Sequence, residues 1–120
     1  MYRNMCRCKI KGGRVTDRNL RYEGSITLDR TILEKAGIFP GEMVKVFNMN
    51  NGARISTYTI EGEAGSGTVC LNGPAARHFE TGDEVIILGI SMVEESEGLK
   101  NWSIRIIELD NLNRVKIEKG

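Results

Sequence analysis

Gly24 and Ser25 are the two neighbouring residues of this sequence whose types could support covalent chemistry on the chain itself. Glycine leaves its carbonyl open to close approach and can adopt dihedrals closed to other residues. The adjacent serine hydroxyl can attack that carbonyl if the peptide is strained and the oxyanion is stabilised. This N→O acyl shift converts the amide to an ester, and elimination followed by hydrolysis leaves a pyruvoyl group. A Gly-Ser pair alone is more typical of a turn, so other residues must support this chemistry.

Several further motifs accompany this pair at a distance. In chain order they are Lys9, Tyr22-Glu23-Gly24-Ser25, Asn51-Gly52-Ala53-Arg54, Thr57-Tyr58 and Cys70-Leu71-Asn72-Gly73-Pro74-Ala75-Ala76-Arg77. Together, at this spacing, they resemble the pyruvoyl-dependent aspartate 1-decarboxylases. The resemblance runs without gaps from Met1 to about Ser91 and more loosely to the end. It implies an enzyme that makes β-alanine from L-aspartate on the route to pantothenate.

The resemblance also implies how the cofactor is made. Cleavage after Gly24 would divide the single domain 1–120 into a β chain, 1–24, and an α chain, 25–120, with Ser25 becoming the pyruvoyl group. An imine between this group and the substrate amine would form an electron sink, the role that pyridoxal phosphate plays elsewhere. We therefore expect neither pyridoxal phosphate nor a metal. Whether a maturation factor assists cleavage stays open.

Lys9 and Arg54 are the cations that the resemblance assigns to the two substrate carboxylates. Arginine offers a planar fork suited to bidentate carboxylate binding, and lysine offers a point charge. Which cation holds which carboxylate is left open. Lys11 stands where many relatives have histidine, so any role of that histidine does not transfer to this chain.

Thr57 and Tyr58 receive separate roles from the resemblance. Thr57 is implied in processing and in the substrate site, through a hydrogen bond near the Gly24 carbonyl, which is the logic of an oxyanion hole. Tyr58 is implied as the proton donor to the carbanion after CO₂ leaves. A phenol is a weak acid, so it gives up its proton only to a strong base.

Asn72, Gly73, Pro74 and Ala75 resemble the segment that lines the substrate pocket in the family. Small residues let backbone amides approach an anion closely. Proline has no N–H, and many relatives have alanine at this position. The amide of residue 74 therefore cannot be essential here.

Composition restricts the other functions. The 17 Lys and Arg balance 16 Asp and Glu, for a net charge of +1, so nucleic acid is not an expected partner. No apolar run reaches the roughly 20 residues of a membrane span, and the N-terminus has no apolar signal core, so we expect a cytoplasmic protein without membrane contact. The three cysteines and one histidine lack zinc-site spacing.

The elements that must position these residues are mostly short strands. The pattern predicts eight of them, at 5–11, 20–28, 43–48, 54–60, 68–71, 84–91, 102–109 and 114–118. In 54–60, Ile55, Thr57 and Thr59 share one face and Arg54, Ser56, Tyr58 and Ile60 the other. Asp29 is expected to cap a helix over 30–36, and Asn72-Gly73 to open a helical piece through His78. The polar stretch 94–100 is expected to be a loop.

Such a pattern favours a mainly β protein, a small closed barrel. The family resemblance implies a six-stranded double-psi β-barrel with short helices, assembled as a homotetramer. Two alternatives stay open at this point. They are a non-catalytic small β-barrel binding module and an unprocessed, inactive relative.

Overall fold

The computed structural model describes residues 1–20 and 24–120, apart from the side chain of Glu97. Tyr22 and Glu23, which open the motif around Ser25, lie outside the described residues. The strands are β1 (Tyr2–Arg14), β2 (Asp17–Asn19), β3 (Ser25–Asp29), β4 (Met43–Asn48), β5 (Arg54–Gly62), β6 (Val69–Asn72), β7 (Glu84–Glu94), β8 (Arg105–Leu109) and β9 (Val115–Lys119). The helices are α1 (Arg30–Ala36), α2 (Glu95–Gly98) and a 3₁₀ helix (Gly73–His78).

The strands form one mixed sheet in the order β2-β6-β3-β5-β4-β7-β1-β8-β9. The candidate serine begins β3, which pairs antiparallel with β6 and parallel with β5. On the far side of β5, β4 and then β7 and β1 continue the sheet through antiparallel pairs. The protein is therefore mainly β. A closed six-stranded double-psi barrel is not among the pairings of the described strands and stays a prediction.

Alternation along the strands gives the sheet two faces. The inner face carries the core, to which β3 contributes Ile26 and Leu28, and β6 contributes Val69 and Leu71, all fully buried. The residues between them, such as Thr27 and Cys70, point to the opposite side, which we call the outer face. On β5, Thr57 and Thr59 are buried whereas Arg54, Ser56 and Tyr58 are exposed, so the predicted alternation is confirmed.

Helix α1 begins and ends as its sequence predicts. The carboxylate of Asp29 accepts a hydrogen bond of 2.8 Å from the Thr31 amide. Ile32, Leu33 and Ala36 face the core, and Gly37 ends the helix in the left-handed conformation.

Several predicted boundaries are wrong. β1 does not stop before Gly12 but runs through it to Arg14, with a register shift against β7. A Cβ on Gly12 would lie 2.6 Å from the Leu109 carbonyl oxygen, so this glycine allows β8 to approach rather than ending the strand. The segment 94–100 is not a pure loop, because α2 forms there. The strand predicted over 102–109 begins only at Arg105.

The predicted strand 20–28 also differs from the structure. Leu20 lies in a turn and Gly24 in a bend, and the strand begins at Ser25; residues 21–23 of the predicted strand are outside the described residues. In the part of the chain that is described, no helix is long and apolar enough to cross a membrane.

Candidate active site

Ser25 is fully buried at the first position of β3. In the antiparallel β3–β6 ladder its partner is Asn72, the last residue of β6. The Asn72 side chain, itself only 5% exposed, donates a hydrogen bond of 2.9 Å from Nδ2 to Ser25 Oγ. The structure therefore brings together two predicted site residues that are 47 positions apart.

Two further side chains, which the sequence analysis missed, complete this contact. Asn72 Nδ2 also donates to Thr27 Oγ1 at 3.0 Å, and Cys70 Sγ donates to Asn72 Oδ1 at 3.3 Å. Thr27 lies two residues after Ser25, and Cys70 two residues before Asn72. Because side chains alternate along a strand with a period of two residues, Thr27 lies on the same face as Ser25, and Cys70 on the same face as Asn72. That signal becomes useful only once β3 and β6 are known to pair.

The Cys70 thiol is held in its protonated form. Burial raises the pKa of Cys70, and the nearby carboxylate of Asp17 raises it further. A thiol with a raised pKa keeps its hydrogen at neutral pH, as a donor to Asn72 Oδ1 must.

A cavity of about 310 Å³ lies beside Gly24. Its lining comprises Gly24, Ile55, Ser56, Thr57, Pro74, Ala75 and His78. The parallel β3–β5 ladder pairs Ile26 with Thr59. Carried back by two residues, this register sets Gly24 beside Thr57, which agrees with their shared cavity. Four of the predicted site residues (Gly24, Thr57, Pro74 and Ala75) thus meet in one place.

The 3₁₀ helix forms one wall of this cavity. It begins at Gly73, whose φ of 66° lies in the left-handed region that favours glycine. At its other end, the His78 carbonyl accepts hydrogen bonds from the side chains of Asn48, at 2.9 Å, and Asn51, at 3.0 Å. Asn51 belongs to the quoted motif around Arg54, so part of that motif holds the cavity wall. His78 was not predicted as a site residue.

Tyr58 lies on the outer face, opposite to Thr57 on the same strand. The β3–β5 ladder begins at the Ile26–Thr59 pair, and Ser25 and Tyr58 are the residues that directly precede that pair on the two strands. Residues paired across a ladder project to the same side of the sheet. Tyr58 and Ser25 therefore share the outer face, and the Tyr58 side chain remains 37% exposed.

Arg54 lies four residues before Tyr58 on the same face of β5. Its guanidinium carbon sits 4.4 Å from the ring centroid of Phe47, its cross-strand partner on β4. This cation–π contact holds the side chain of an exposed arginine in place and leaves its N–H groups available for hydrogen bonds to a ligand. Arg54 does not line the cavity beside Gly24.

Lys9 is the one predicted site residue that strand pairing leaves distant from Ser25. It lies on β1 between Leu88 of β7 and Ile106 of β8. In the sheet order, β1 is four strands from β3, roughly 19 Å along the sheet at about 4.8 Å per strand. Lys11 follows two residues later and lies 3.8 Å from the Glu108 carboxylate, so its charge is partly compensated.

Metal chemistry finds no support in the described residues, among which no group of three or more His, Cys, Asp or Glu side chains could hold an ion. The groups that the arrangement does bring together are of another kind. A buried hydroxyl is fixed by an amide donor and follows a glycine that lines a cavity, and a phenol lies on the hydroxyl's own side of the sheet.

Comparison with known proteins identifies the family of this chain. The model of the family described as aspartate decarboxylase matches residues 1–116. The chain is 48% identical over 114 residues to the aspartate 1-decarboxylase of Thermoanaerobacter pseudethanolicus, covering 95% of this chain and 97% of that protein. It is 46% identical over 115 residues to that of Carboxydothermus hydrogenoformans, covering 96% and 90%. It is 48% identical over 117 residues to that of Listeria monocytogenes, covering 98% and 91%. The chain therefore belongs to the aspartate decarboxylase family.

Proposed function

We propose that this protein decarboxylates L-aspartate at the α-carbon, giving β-alanine and CO₂ for pantothenate synthesis, with a pyruvoyl group made from its own Ser25. Family membership supports the reaction. The assignment of the pyruvoyl group to Ser25 rests on one observation. The Ser25 hydroxyl is buried and is held by Asn72, next to the Gly24 carbonyl.

Self-cleavage begins with Ser25 Oγ. Its attack forms a bond to the Gly24 carbonyl carbon, the C–N bond breaks, and the hydroxyl proton ends on the freed amine. Elimination then removes the Ser25 Cα proton and breaks the Cβ–Oγ bond, so that Oγ leaves within the Gly24 carboxylate. Hydrolysis releases ammonia and leaves the pyruvoyl group at residue 25. The products are chains 1–24 and 25–120.

Three observations support a role for Thr57 in the first of these steps. It is buried, it shares the cavity with Gly24, and the strand register sets the two side by side. A hydroxyl donor there would stabilise the charge that develops on the Gly24 carbonyl oxygen. We therefore assign Thr57 to processing first and to the substrate site second.

When present, the pyruvoyl group supplies the electron sink that decarboxylation needs. The chain's own residues supply the rest. Tyr58, on the same face as residue 25, gives its proton to the α-carbon after CO₂ leaves. Burial of residue 25 excludes water from the reacting centre. Pro74 and Ala75 line the cavity against which the substrate would lie, and Asn72 and Gly73 lead into that wall.

Arg54 and Lys9 bind the two substrate carboxylates in this proposal. Arg54 belongs to the same strand and face as Tyr58. Lys9 lies on a strand that does not neighbour β3 in the sheet order, and we assign it to the site of a neighbouring copy. A fixed cation for the side-chain carboxylate would disfavour glutamate, whose extra methylene misplaces that group.

Assembly as a homotetramer with shared sites follows from that assignment. Besides the family resemblance, the outer face supports it, because Met43 and Met92 are 57% and 72% exposed there. Exposed apolar residues on one face are typical of a contact surface. The six-stranded double-psi barrel is part of the same proposal, as the form that this sheet takes in the family.

The test is intact-mass spectrometry of purified protein, followed by product analysis. Wild-type protein should give two chains that divide between Gly24 and Ser25, the longer with a blocked N-terminus, and should release β-alanine from aspartate. Ser25→Ala should give one inactive chain of full length. A wild-type chain that stays whole would favour the binding module or the inactive relative, and alanine as product would refute the assignment of the α-carboxylate.

A further inference from the structure

We propose that the Cys70 thiol and the Thr27 hydroxyl are positioning residues for self-cleavage, which hold the side-chain amide of Asn72 in the orientation that directs Nδ2 at Ser25 Oγ. This inference rests on the proposed function, because it concerns how Ser25 is prepared for its own conversion.

Four side chains meet on one face of the β3–β6 ladder, with Asn72 hydrogen-bonded to each of the other three. In that ladder Ser25 pairs with Asn72 and Thr27 pairs with Cys70. Both pairs project to the outer face, since Ile26 and Leu71 between them are buried in the core. Asn72 is thereby surrounded by hydrogen-bonding groups from its own strand and from the neighbouring one.

The orientation of the Asn72 amide depends on these neighbours. Its two N–H hydrogens are both used, one on Ser25 Oγ at 2.9 Å and one on Thr27 Oγ1 at 3.0 Å. Its oxygen accepts from Cys70 Sγ at 3.3 Å. Rotation of the amide by half a turn would direct the NH₂ group at sulfur, which is a weak acceptor. A hydroxyl can donate as well as accept, so the Thr27 hydroxyl fixes the plane of the amide, and the Cys70 thiol selects which end of the amide faces Ser25.

The observed orientation matters for the reactivity of Ser25. An amide N–H cannot remove the serine proton, so Asn72 fixes Oγ without occupying the hydroxyl hydrogen. That hydrogen stays available for transfer as Oγ attacks the Gly24 carbonyl. The reversed amide would accept the hydroxyl hydrogen and hold it away from transfer. The raised pKa of Cys70, caused by burial and Asp17, keeps hydrogen on the sulfur.

Cleavage of freshly made chains tests the proposal. Each variant is produced by cell-free synthesis and its cleaved fraction is followed over time by mass spectrometry. Cys70→Ala and Thr27→Val should each slow cleavage by about 2- to 10-fold, the effect of losing one hydrogen bond. Thr27→Ser keeps the hydroxyl and should cleave at close to the wild-type rate. Cys70→Ser keeps a donor to Asn72 Oδ1 but can also accept from the reversed amide, so its cleavage rate should fall by at most about 2-fold. Cys6→Ala is the matched control, since the Cys6 thiol is also half-buried but bonds only the Cys8 carbonyl.

Rescue by serine separates positioning from packing. If Cys70→Ser were as slow as Cys70→Ala, or if Cys70→Ala cleaved at the wild-type rate, the proposal would be wrong. If Cys70→Ala does not fold, as judged by circular dichroism, the Thr27→Val and Thr27→Ser pair decides in the same way. Failure of the proposed function would look different, because then the wild-type chain itself would not divide at Gly24–Ser25.

Discussion

At the scale of single residues, two neighbours on β5 serve two different stages of the proposed chemistry. Thr57 is buried on the inner face and shares a cavity with Gly24, whereas Tyr58 is on the outer face in register with Ser25. Because adjacent strand residues project to opposite sides, one dipeptide reaches both the carbonyl and the side chain of the Gly24–Ser25 bond. Substitutions at the two positions should therefore have separable effects.

Thr57→Val should slow cleavage while leaving folding intact. Valine keeps the shape of threonine but removes the hydroxyl beside Gly24. Loss of one oxyanion donor typically lowers a rate by about 10²–10³-fold. The cleaved fraction over time, measured by mass spectrometry, checks this, with Thr57→Ser as the matched variant that retains a hydroxyl. If the Thr57→Val variant cleaved at the same rate as wild type, Thr57 would have no role in self-cleavage.

Tyr58→Phe should have the opposite profile. Its chain should divide normally, because the phenol hydroxyl is not needed for attack on Gly24. Decarboxylation should fall by about 10²-fold or more, as expected when a positioned proton donor is lost. Both quantities are measured on one preparation, as cleaved fraction and as β-alanine released. Wild-type turnover by the phenylalanine variant would assign the proton to another donor.

Arg54→Lys should reduce activity although the charge is kept. A lysine cannot reproduce a planar fork, and it would also lose the stacking on Phe47. We expect kcat/KM for aspartate to fall by about 10-fold or more, with the cleaved fraction unchanged. Arg3→Lys is the control, an exposed arginine whose ion pair with Glu95 lies outside the proposed site. Equal losses in both variants would point to a general effect of the substitution.

At the scale of elements, Asp29 links helix α1 to the loop before β6. Its carboxylate accepts hydrogen bonds from the backbone amides of Thr31, Gly65 and Gly67, at 2.8, 3.0 and 2.8 Å. Burial alone would raise the pKa of Asp29, but these amide donors outweigh it and lower the pKa below its ordinary value. A carboxylate of this kind stabilises the fold above its unfolded pKa, near 3.9, and loses that effect as the pH falls through the folded value.

Asp29→Ala should lower the free energy of unfolding by about 1–3 kcal/mol at pH 7, since three backbone amides, one of them the buried amide of Gly67, lose an acceptor. The difference from wild type should shrink as the pH falls below about 4, because the unfolded carboxylate takes up a proton there while the native carboxylate, with its lowered pKa, does so only at lower pH. Urea denaturation at both pH values and equal protein concentration measures this. Glu63→Ala, an exposed position of the same loop, should change stability little at either pH. A difference independent of pH would mean that the charge of Asp29 is not what matters.

At the scale of the whole molecule, the division of the site between copies can be tested by complementation. Lys9→Ala and Ser25→Ala should each be inactive alone. Co-expressed, they should recover part of the wild-type activity, because some sites combine an intact Ser25 with an intact Lys9 from the neighbouring copy. Turnover by the mixed, co-purified protein is the measurement, with light scattering to establish the tetramer.

Tyr58→Phe with Ser25→Ala is the matched pair for that experiment. Tyr58 lies beside Ser25 of its own chain, so every site with an intact serine would carry phenylalanine, and mixing should restore nothing. If activity recovered in both pairs, Tyr58 would, like Lys9, serve the site of a neighbouring copy. Recovery in neither pair, or a monomer by light scattering, would contradict the shared site.

Local features of the sequence predicted what depends on local physics. The cap at Asp29, the glycine after α1 and the alternation on β5 follow from helix ends and from the two-residue period of strands, and all three are confirmed. Gly12 shows where such rules fail. From its neighbours along the chain alone, Gly12 predicts the end of a strand. In the structure it instead allows the Leu109 carbonyl of β8 to approach closely.

The sequence by itself singled out Gly24–Ser25 as the pair proposed to react and, through its motifs, determined the family. Only the tertiary structure decided which side chains surround that pair, because strand pairing joins residues far apart along the chain. The β3–β6 ladder brings Asn72 to Ser25 and adds Thr27, which lies outside the quoted motifs, and Cys70, which opens one of them but received no role from it. The same sheet order leaves Lys9 on a distant strand. Hydrophobic periodicity selects the face that a residue occupies, but it contains no information on which strand will lie beside it.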